Sequence, residues 1–216
     1  MLAKVKFCGM TRPQDAALAA ELGASYVGVI FASGPRKISS ERARDILAAA
    51  GPSVAHVGVF DTNDADRVAE VAEEVRLDVV QLHADPMVSD IDAIRRNFGG
   101  AIWTAIRISG NHIPHVYDEL FDLADGVLLD ARVEHALGGT GVALPWNALA
   151  VDLARDRGGA SVVLAGGLNP KNVANAIRIL APDVVDVSSG VESAPGIKDP
   201  WLMREFYEAA VGHSAA

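Results

Sequence analysis

The sequence predicts an α/β fold, a single-domain (β/α)8 barrel of the TIM-barrel class. Eight short apolar runs alternate with eight amphipathic segments, the pattern of parallel strands joined by helical crossovers. The turn after the first run lacks the glycine-rich phosphate loop with which an open doubly wound sheet usually begins. Together these observations favour closure into a barrel, although 216 residues is slightly short for that fold.

Each strand is predicted where about five apolar residues meet a glycine or a polar cluster. In order, the predicted strands are 4–8, 26–31, 54–60, 78–82, 101–106, 126–130, 161–165 and 184–187. Amphipathic periodicity predicts helices at 14–22, 40–50, 65–74, 88–97, 115–123, 148–157, 171–180 and 200–211. Glycine-rich turns follow the last three strands, and in a parallel barrel these turns lie at one rim.

Composition limits the classes of function. Half of the residues are apolar and 22% are charged, which predicts one well-buried domain over residues 1–216. A net charge of −9, without blocks of Lys or Arg, argues against nucleic acid or an anionic membrane as a partner. The single cysteine excludes an intramolecular disulfide. Without a leader pattern or a long apolar run, we expect a cytoplasmic protein.

Cys8 is the first candidate for chemistry. It ends the first predicted strand, at the rim where such barrels keep their active sites. A lone cysteine near an apolar strand is more often a small buried hydrophobe, so its position alone leaves both roles open. Lys6 shares its strand face, where it would favour the thiolate or would only fill a polar layer of the barrel.

Two glycine-containing turns predict an anion site. Gly166 and Gly167 follow the seventh predicted strand, and Ser189 and Gly190 follow the eighth. Glycines let backbone N–H groups approach a phosphate closely, and the loops after strands seven and eight form the usual phosphate site of such barrels. A need for positive φ would explain one such turn equally well, but two at these positions favour phosphate binding.

Three further side chains are candidates at this rim. Asp130 closes an apolar strand, where poor solvation favours an acid near neutrality, although capping a loop is the commoner role. Arg36 follows the second strand and could bind a carboxylate in a bidentate pair, although a solvated arginine is the default. His83 shares a face with Gln81, which favours a hydrogen-bonded structural role. No metal-ligand spacing, dinucleotide fingerprint or Walker motif occurs, so no metal or cofactor is predicted.

Eight segments together resemble the phosphoribosylanthranilate isomerases, the (β/α)8 enzymes of tryptophan biosynthesis. The segments are 6–12 (KFCGMTR), 34–36 (GPR), 80–83 (VQLH), 128–130 (LLD), 138–141 (GGTG), 164–168 (LAGGL), 186–192 (DVSSGVE) and 195–199 (PGIKD). They follow the family's order, and their combination is far more specific than any one segment.

The resemblance implies an Amadori rearrangement without cofactor or metal. N-(5-phosphoribosyl)anthranilate would open its ribose ring and become 1-(2-carboxyphenylamino)-1-deoxyribulose 5-phosphate. By resemblance, Asp130 is the general acid at the furanose ring oxygen and Cys8 is the general base at C2′. The implied substrate-binding residues are Arg36 for the anthranilate carboxylate, with His83, Gly139, Gly167, Ser189 and Gly190. We expect this small-molecule substrate as the partner, and a monomer or a homodimer.

The sequence departs from the family pattern at three places, all of which concern loop packing. Gly34 stands where serine is expected, Ala84 stands where glycine is expected, and residues 144–146 (LPW) replace a Phe-Asp/Asn-Trp triplet. Two alternatives stay open. A histidine-pathway isomerase would have a duplicated half-barrel and an aspartate in place of Cys8, whereas a non-catalytic sugar-phosphate-binding barrel would need neither Cys8 nor Asp130.

Overall fold

Eight parallel strands close into a barrel in the order in which they occur along the chain. The computed structural model describes residues 3–108, 110–131, 146–154 and 158–212. The barrel strands are β1 (Lys4–Phe7), β2 (Tyr26–Ile30), β3 (Ala55–Phe60), β4 (Val79–Leu82), β5 (Ala101–Ile108), β6 (Gly126–Ala131), β7 (Ser161–Leu164) and β8 (Val184–Val187). The helices are α1 (Pro13–Leu22), α2 (Ser40–Ala50), α3 (Ala65–Val75), α4 (Val88–Arg95), α5 (Asp118–Leu123), α6 (Trp146–Leu153), α7 (Val173–Leu180) and α8 (Pro200–Val211).

Apolar side chains form two clusters, one on each side of the barrel wall. The larger cluster lies between the strands and the helices, and it joins strand residues such as Val27 and Leu129 to helix residues such as Ile46 and Phe206. The smaller cluster fills the barrel from alternate strand positions, as Trp103 and Ala105 show. Most strand positions are therefore apolar on both faces, which is why the strands read as nearly continuous apolar runs in the sequence.

The predicted barrel is confirmed, with eight strands and eight helices in the predicted order. Most bounds agree with the prediction or differ from it by one or two residues. The sixth helix differs more, because it was predicted over 148–157 and is described as Trp146–Leu153. The helix predicted to begin at residue 171 begins at Val173, because the side chains of Asn169 and Asn172 bind backbone N–H groups in the preceding turn. The helix predicted over 115–123 is divided into a 3₁₀ turn, His115–Tyr117, and α5.

A short hairpin after the barrel was not predicted. Its strands are β9 (Glu192–Ala194) and β10 (Ile197–Lys198), joined through a Pro-Gly turn. The start of α1 holds this hairpin in place, because Asp15 accepts a hydrogen bond from the backbone N–H of Lys198 and the Arg12 guanidinium donates to the Lys198 carbonyl. Glu192 and Lys198 are partners across the hairpin, so their side chains lie together.

Candidate active site

A cavity of about 440 Å³ opens at the carboxyl ends of the barrel strands, a size typical of small-molecule sites. Seven of the eight residues predicted for the site line it: Cys8, Arg36, His83, Asp130, Gly167, Ser189 and Gly190. Gly139, the eighth, lies outside the described residues. Residues from six different strand ends and loops therefore meet at one place, as the barrel topology requires.

Cys8 lies immediately after β1, and its backbone N–H donates to the Val187 carbonyl at 2.8 Å. The thiol is buried, and burial raises its pKa above the ordinary thiol value. The positive charge of Lys6 works in the opposite direction but does not outweigh burial, while Asp186 adds to the upward shift. The expectation that Lys6 favours the thiolate is thus correct in direction, but burial keeps the pKa of Cys8 raised and Cys8 a thiol near neutrality.

Lys6 is fully buried beneath the cavity and makes two charge-assisted contacts. Its Nζ atom donates to Gln81 Oε1 and to Asp186 Oδ2, each at 3.0 Å. Burial opposes the charged ammonium, but charge and hydrogen bonding from Asp186, together with Cys8, outweigh it and raise the pKa of Lys6. Lys6 therefore remains a cation, and it both fills a polar layer and provides positive charge near the thiol.

Gln81 fixes the hydrogen-bonding state of His83. Because Lys6 can only donate, it must face the amide oxygen of Gln81, and the amide nitrogen is then turned to His83 Nδ1 at 3.4 Å. Nδ1 accepts, so a neutral His83 carries its proton on Nε2. Nε2 lies 3.5 Å from Asp130 Oδ2, without hydrogen-bond geometry and with no other hydrogen-bond partner among the described residues.

The turns after β7 and β8 press against each other at the rim. The backbone of Gly190 passes so close to the Leu168 carbonyl oxygen that a Cβ atom there would overlap it. The carbonyl of Gly167 accepts from the side-chain amides of Asn169 and Asn172, at 3.2 and 2.9 Å. These contacts hold both predicted anion-binding turns at one end of the cavity.

Arg36 lines the cavity, and one edge of its guanidinium group is already hydrogen-bonded to Glu192. Its Nε and Nη2 atoms donate to the two carboxylate oxygens of Glu192, at 2.8 and 2.7 Å. Lys198 Nζ donates to Glu192 Oε1 at 2.9 Å and to the Ser188 carbonyl at 3.0 Å. Arg36 therefore makes a bidentate pair with the carboxylate of Glu192, and its predicted pairing with a substrate carboxylate stays a prediction.

Four residues that join this site had no assigned role in the sequence: Gln81, Asp186, Glu192 and Lys198. The strand period was the available signal for the first two, because Gln81 and Asp186 alternate onto the inner face of apolar strands. Glu192 and Lys198 occur in the segments that carry the family resemblance, but only folding shows that they contact Arg36.

The described part of the chain contains no group of three His, Cys, Asp or Glu side chains that could hold a metal ion. In the same residues, no helix has the length and apolar character needed to cross a membrane.

Comparison with known proteins decides the family. A family model described as N-(5'phosphoribosyl)anthranilate (PRA) isomerase matches residues 5–209. The chain belongs to the phosphoribosylanthranilate isomerase family. The N-(5'-phosphoribosyl)anthranilate isomerase of Geotalea uraniireducens (strain Rf4) is 41% identical over 212 residues, which are 98% of this chain and 100% of that protein.

Solved structures of phosphoribosylanthranilate isomerases agree with the barrel described above. The enzyme from Thermotoga maritima has a TM-score of 0.85 and 34% identity, covering 98% of this chain and 100% of that one. A structure of phosphoribosyl anthranilate isomerase in complex with reduced 1-(o-carboxyphenylamino)-1-deoxyribulose 5-phosphate has a TM-score of 0.82 and 33% identity, with the same coverage of both chains.

Two of the three departures from the family pattern fall on described residues. Gly34 lines the cavity, and the Ala84 carbonyl accepts a hydrogen bond from Asn63 at 3.2 Å. In the third departure, residues 144–145 lie outside the described residues, and Trp146 begins α6.

Proposed function

We propose that this chain is an N-(5'-phosphoribosyl)anthranilate isomerase that carries out an Amadori rearrangement in tryptophan biosynthesis. The observation that carries the proposal is the convergence of a thiol and a carboxylate, Cys8 and Asp130, on one cavity with an arginine and the two glycine-containing turns predicted to bind an anion. The two proposed catalytic groups project from β1 and β6, three strands apart around the barrel, so a substrate can lie between them.

Asp130 is the proposed general acid. As it protonates the furanose ring oxygen, the bond from that oxygen to C1′ breaks and the anilino nitrogen lone pair forms a C1′=N bond. The product is an open-chain iminium ion, and Asp130 becomes a carboxylate. His83 Nε2 lies 3.5 Å from Asp130 Oδ2 without a hydrogen bond to it, and its N–H is proposed to stabilise that carboxylate once the acid has lost its proton.

Cys8 is the proposed general base. Cys8 reacts as the thiolate: it takes the C2′ proton and becomes a thiol. The C2′–H electron pair forms a C1′=C2′ bond and the C1′=N electron pair moves onto nitrogen. The resulting enolamine tautomerises to the ketone when the C2′ hydroxyl loses its proton and C1′ gains one. The iminium charge acidifies C2′–H, and together with Lys6 it favours the thiolate against the effect of burial. The rearrangement moves protons and electron pairs within one molecule, so no electrons are exchanged with a partner.

The remaining site residues are proposed to hold the two anionic ends of the substrate. Arg36 would bind the anthranilate carboxylate, and the turns containing Gly167, Ser189 and Gly190 would bind the phosphate. His83 is proposed to contact the substrate between them, and Gly139 keeps its predicted binding role. A monomeric or homodimeric state and a cytoplasmic location stay predictions.

Turnover of freshly prepared phosphoribosylanthranilate, followed as loss of anthranilate-type fluorescence, tests the function. The unmodified protein should convert it, and Cys8→Ala and Asp130→Ala should each lose about 10²- to 10⁴-fold while remaining folded. Asp118→Ala is the matched control, because Asp118 is exposed and pairs only with His115 among the described residues. Absence of turnover in the unmodified protein would contradict the function, and full activity of Cys8→Ala would contradict the base assignment.

A further inference from the structure

Glu192 holds Arg36 by one edge of its guanidinium group. A guanidinium has five N–H donors, and Glu192 takes one from Nε and one from Nη2. No described residue accepts a hydrogen bond from Nη1. Glu192 does not line the cavity, whereas Arg36 does, so Glu192 lies behind the arginine. The Nη1/Nη2 edge is therefore available to a second carboxylate.

The path of the Arg36 side chain is also fixed. Its Cδ atom crosses the backbone at Gly9, where a Cβ atom would come within 2.6 Å of it. Gly9 has a φ of +72°, a conformation that side chains rarely adopt. Arg36 thus passes directly beside the backbone of Gly9, the residue after Cys8, and a glycine at position 9 makes that path possible.

The net charge of the cluster formed by Arg36, Glu192 and Lys198 suits the binding of one anion. With Arg36 and Lys198 protonated and Glu192 ionised, the cluster carries one net positive charge, although burial lowers the pKa of Lys198 below its ordinary value. The Glu192 carboxylate, 2.9 Å from Lys198 Nζ, opposes that lowering. Burial would raise the pKa of Glu192, but hydrogen bonds and charge from Arg36 and Lys198 lower it, so Glu192 is ionised at neutral pH. The Arg36 guanidinium remains charged, because its hydrogen bonds to Glu192 raise its pKa.

We infer that Glu192 is a positioning residue, which orients Arg36 so that its free edge selects substrates bearing an aryl carboxylate. The inference rests on the proposed function, because it states how that same site recognises the carboxylate end of its substrate. Lys198 keeps Glu192 in place, and the β9–β10 hairpin supplies both residues. Glu192 acts through Arg36 and touches no reacting atom.

Two ligands and two variants test the inference. The ligands are reduced 1-(o-carboxyphenylamino)-1-deoxyribulose 5-phosphate and its phenylamino counterpart, which lacks only the carboxyl group. Glu192→Gln should weaken binding of the first ligand by about tenfold or more, because an amide presents a donor to one arginine N–H. Binding of the second ligand should change by less than about twofold, and in turnover KM should rise more than kcat falls. Glu70→Gln, in an exposed pair with Arg67, is the matched control.

The outcomes separate the inference from the function on which it rests. Equal losses for both ligands would mean a merely structural role for Glu192 and would overturn the inference. Unchanged or tighter binding of the carboxylated ligand would overturn it as well. Arg36→Ala should abolish the preference for the carboxylated ligand. If that preference survives, the carboxylate role of Arg36 is wrong and the inference fails with it, although the isomerase activity is tested independently by turnover.

A double variant keeps the test valid if Glu192→Gln alone fails to fold. Glu192→Gln combined with Lys198→Met restores the net charge of the cluster, since one anion and one cation are removed together. The same selective loss of the carboxylated ligand is expected. Retention of the unmodified protein's preference in this folded double variant would show that Glu192 does not position Arg36.

Discussion

At the scale of single residues, burial decides whether Cys8 is a thiol or a thiolate before substrate binds. The same barrel end that gives the thiol access to the cavity also removes it from water, and removal from water disfavours a thiolate. Lys6 opposes this effect, but its charge is shared with Asp186, which lies at 3.0 Å. The thiol is therefore a weak nucleophile in the free protein, and it can act as a general base only after it has lost its own proton.

Titration of the free protein tests this state directly. Cys8 is the only cysteine, so thiolate absorbance near 240 nm, after subtraction of the Cys8→Ala spectrum, reports this residue alone. Because burial raises the pKa of Cys8, the absorbance should develop above the ordinary thiol range of about 8.5. A midpoint at or below that range would show that the positive charge of Lys6 and Lys198 prevails over burial.

At the scale of elements, the site depends on the chain segments that leave the strands. The turn after β7 and the 3₁₀ turn Ser189–Val191 after β8 lie in contact through Gly190 and the Leu168 carbonyl. Two turns from neighbouring strands thereby form one end of the cavity, which neither forms alone. The β9–β10 hairpin that follows supplies Glu192, and Glu192 holds the Arg36 side chain at the cavity.

Gly190→Ala should separate these two turns. The added methyl group meets backbone and cannot be accommodated by rotating a side chain, so the free energy of unfolding should fall by about 1–3 kcal/mol. Binding of reduced 1-(o-carboxyphenylamino)-1-deoxyribulose 5-phosphate should weaken by about tenfold. Urea denaturation and ligand titration measure the two effects. Gly99→Ala is the control, because a Cβ at Gly99 meets no atom within 4 Å.

Equal effects of Gly190→Ala and Gly99→Ala would contradict this account of the turns. So would unchanged ligand binding in a destabilised Gly190→Ala protein, because the contact between the turns would then serve stability alone.

Elements were predicted well where one local pattern determined them. The bounds of α2, α8 and β8 agree with the predictions, since each combines a clear hydrophobic period with a clear end, such as the Ser39 and Asp199 caps. The β9–β10 hairpin was missed because its strands have three and two residues, too few for a period of two to be visible. Docking against α1 stabilises it, and that contact is remote in sequence.

At the scale of the whole molecule, the barrel closes through β1 and β8, and a buried ion pair joins these two strands. Lys6 and Asp186 are register partners as well as ionic partners, 180 residues apart in the chain. Such a pair costs desolvation energy when it forms, and it is strongly destabilising when only one partner is removed.

Lys6→Met should lower the free energy of unfolding by about 3–5 kcal/mol, because Asp186 is left buried without its cation. Lys6→Met with Asp186→Leu should recover at least half of that loss, as neither charge then remains. Urea denaturation at about pH 7 measures both. The raised pKa of Lys6 means that its contribution is fully present at this pH and is lost only as the pH rises through that pKa.

The exposed pair Arg67–Glu70 provides the comparison for this variant series. Arg67→Met should change the free energy of unfolding by less than about 1 kcal/mol, because solvent screens such pairs. If Lys6→Met were as mild as Arg67→Met, the buried pair would not hold the barrel closed. If the double variant, Lys6→Met with Asp186→Leu, were less stable than Lys6→Met alone, the charges of Lys6 and Asp186 would not be coupled.

The sequence by itself determined the barrel, the eight strands and helices, and which residue types stand at the strand ends. Hydrophobic period and helix caps are local, and they act on neighbours along the chain. The tertiary structure alone decided how the charges are paired: Arg36 with Glu192, Lys6 with Asp186, and Gln81 between Lys6 and His83. Most of these partners are 75 or more residues apart, so no local pattern encodes their contact, and only closure of the barrel brings them within hydrogen-bond distance.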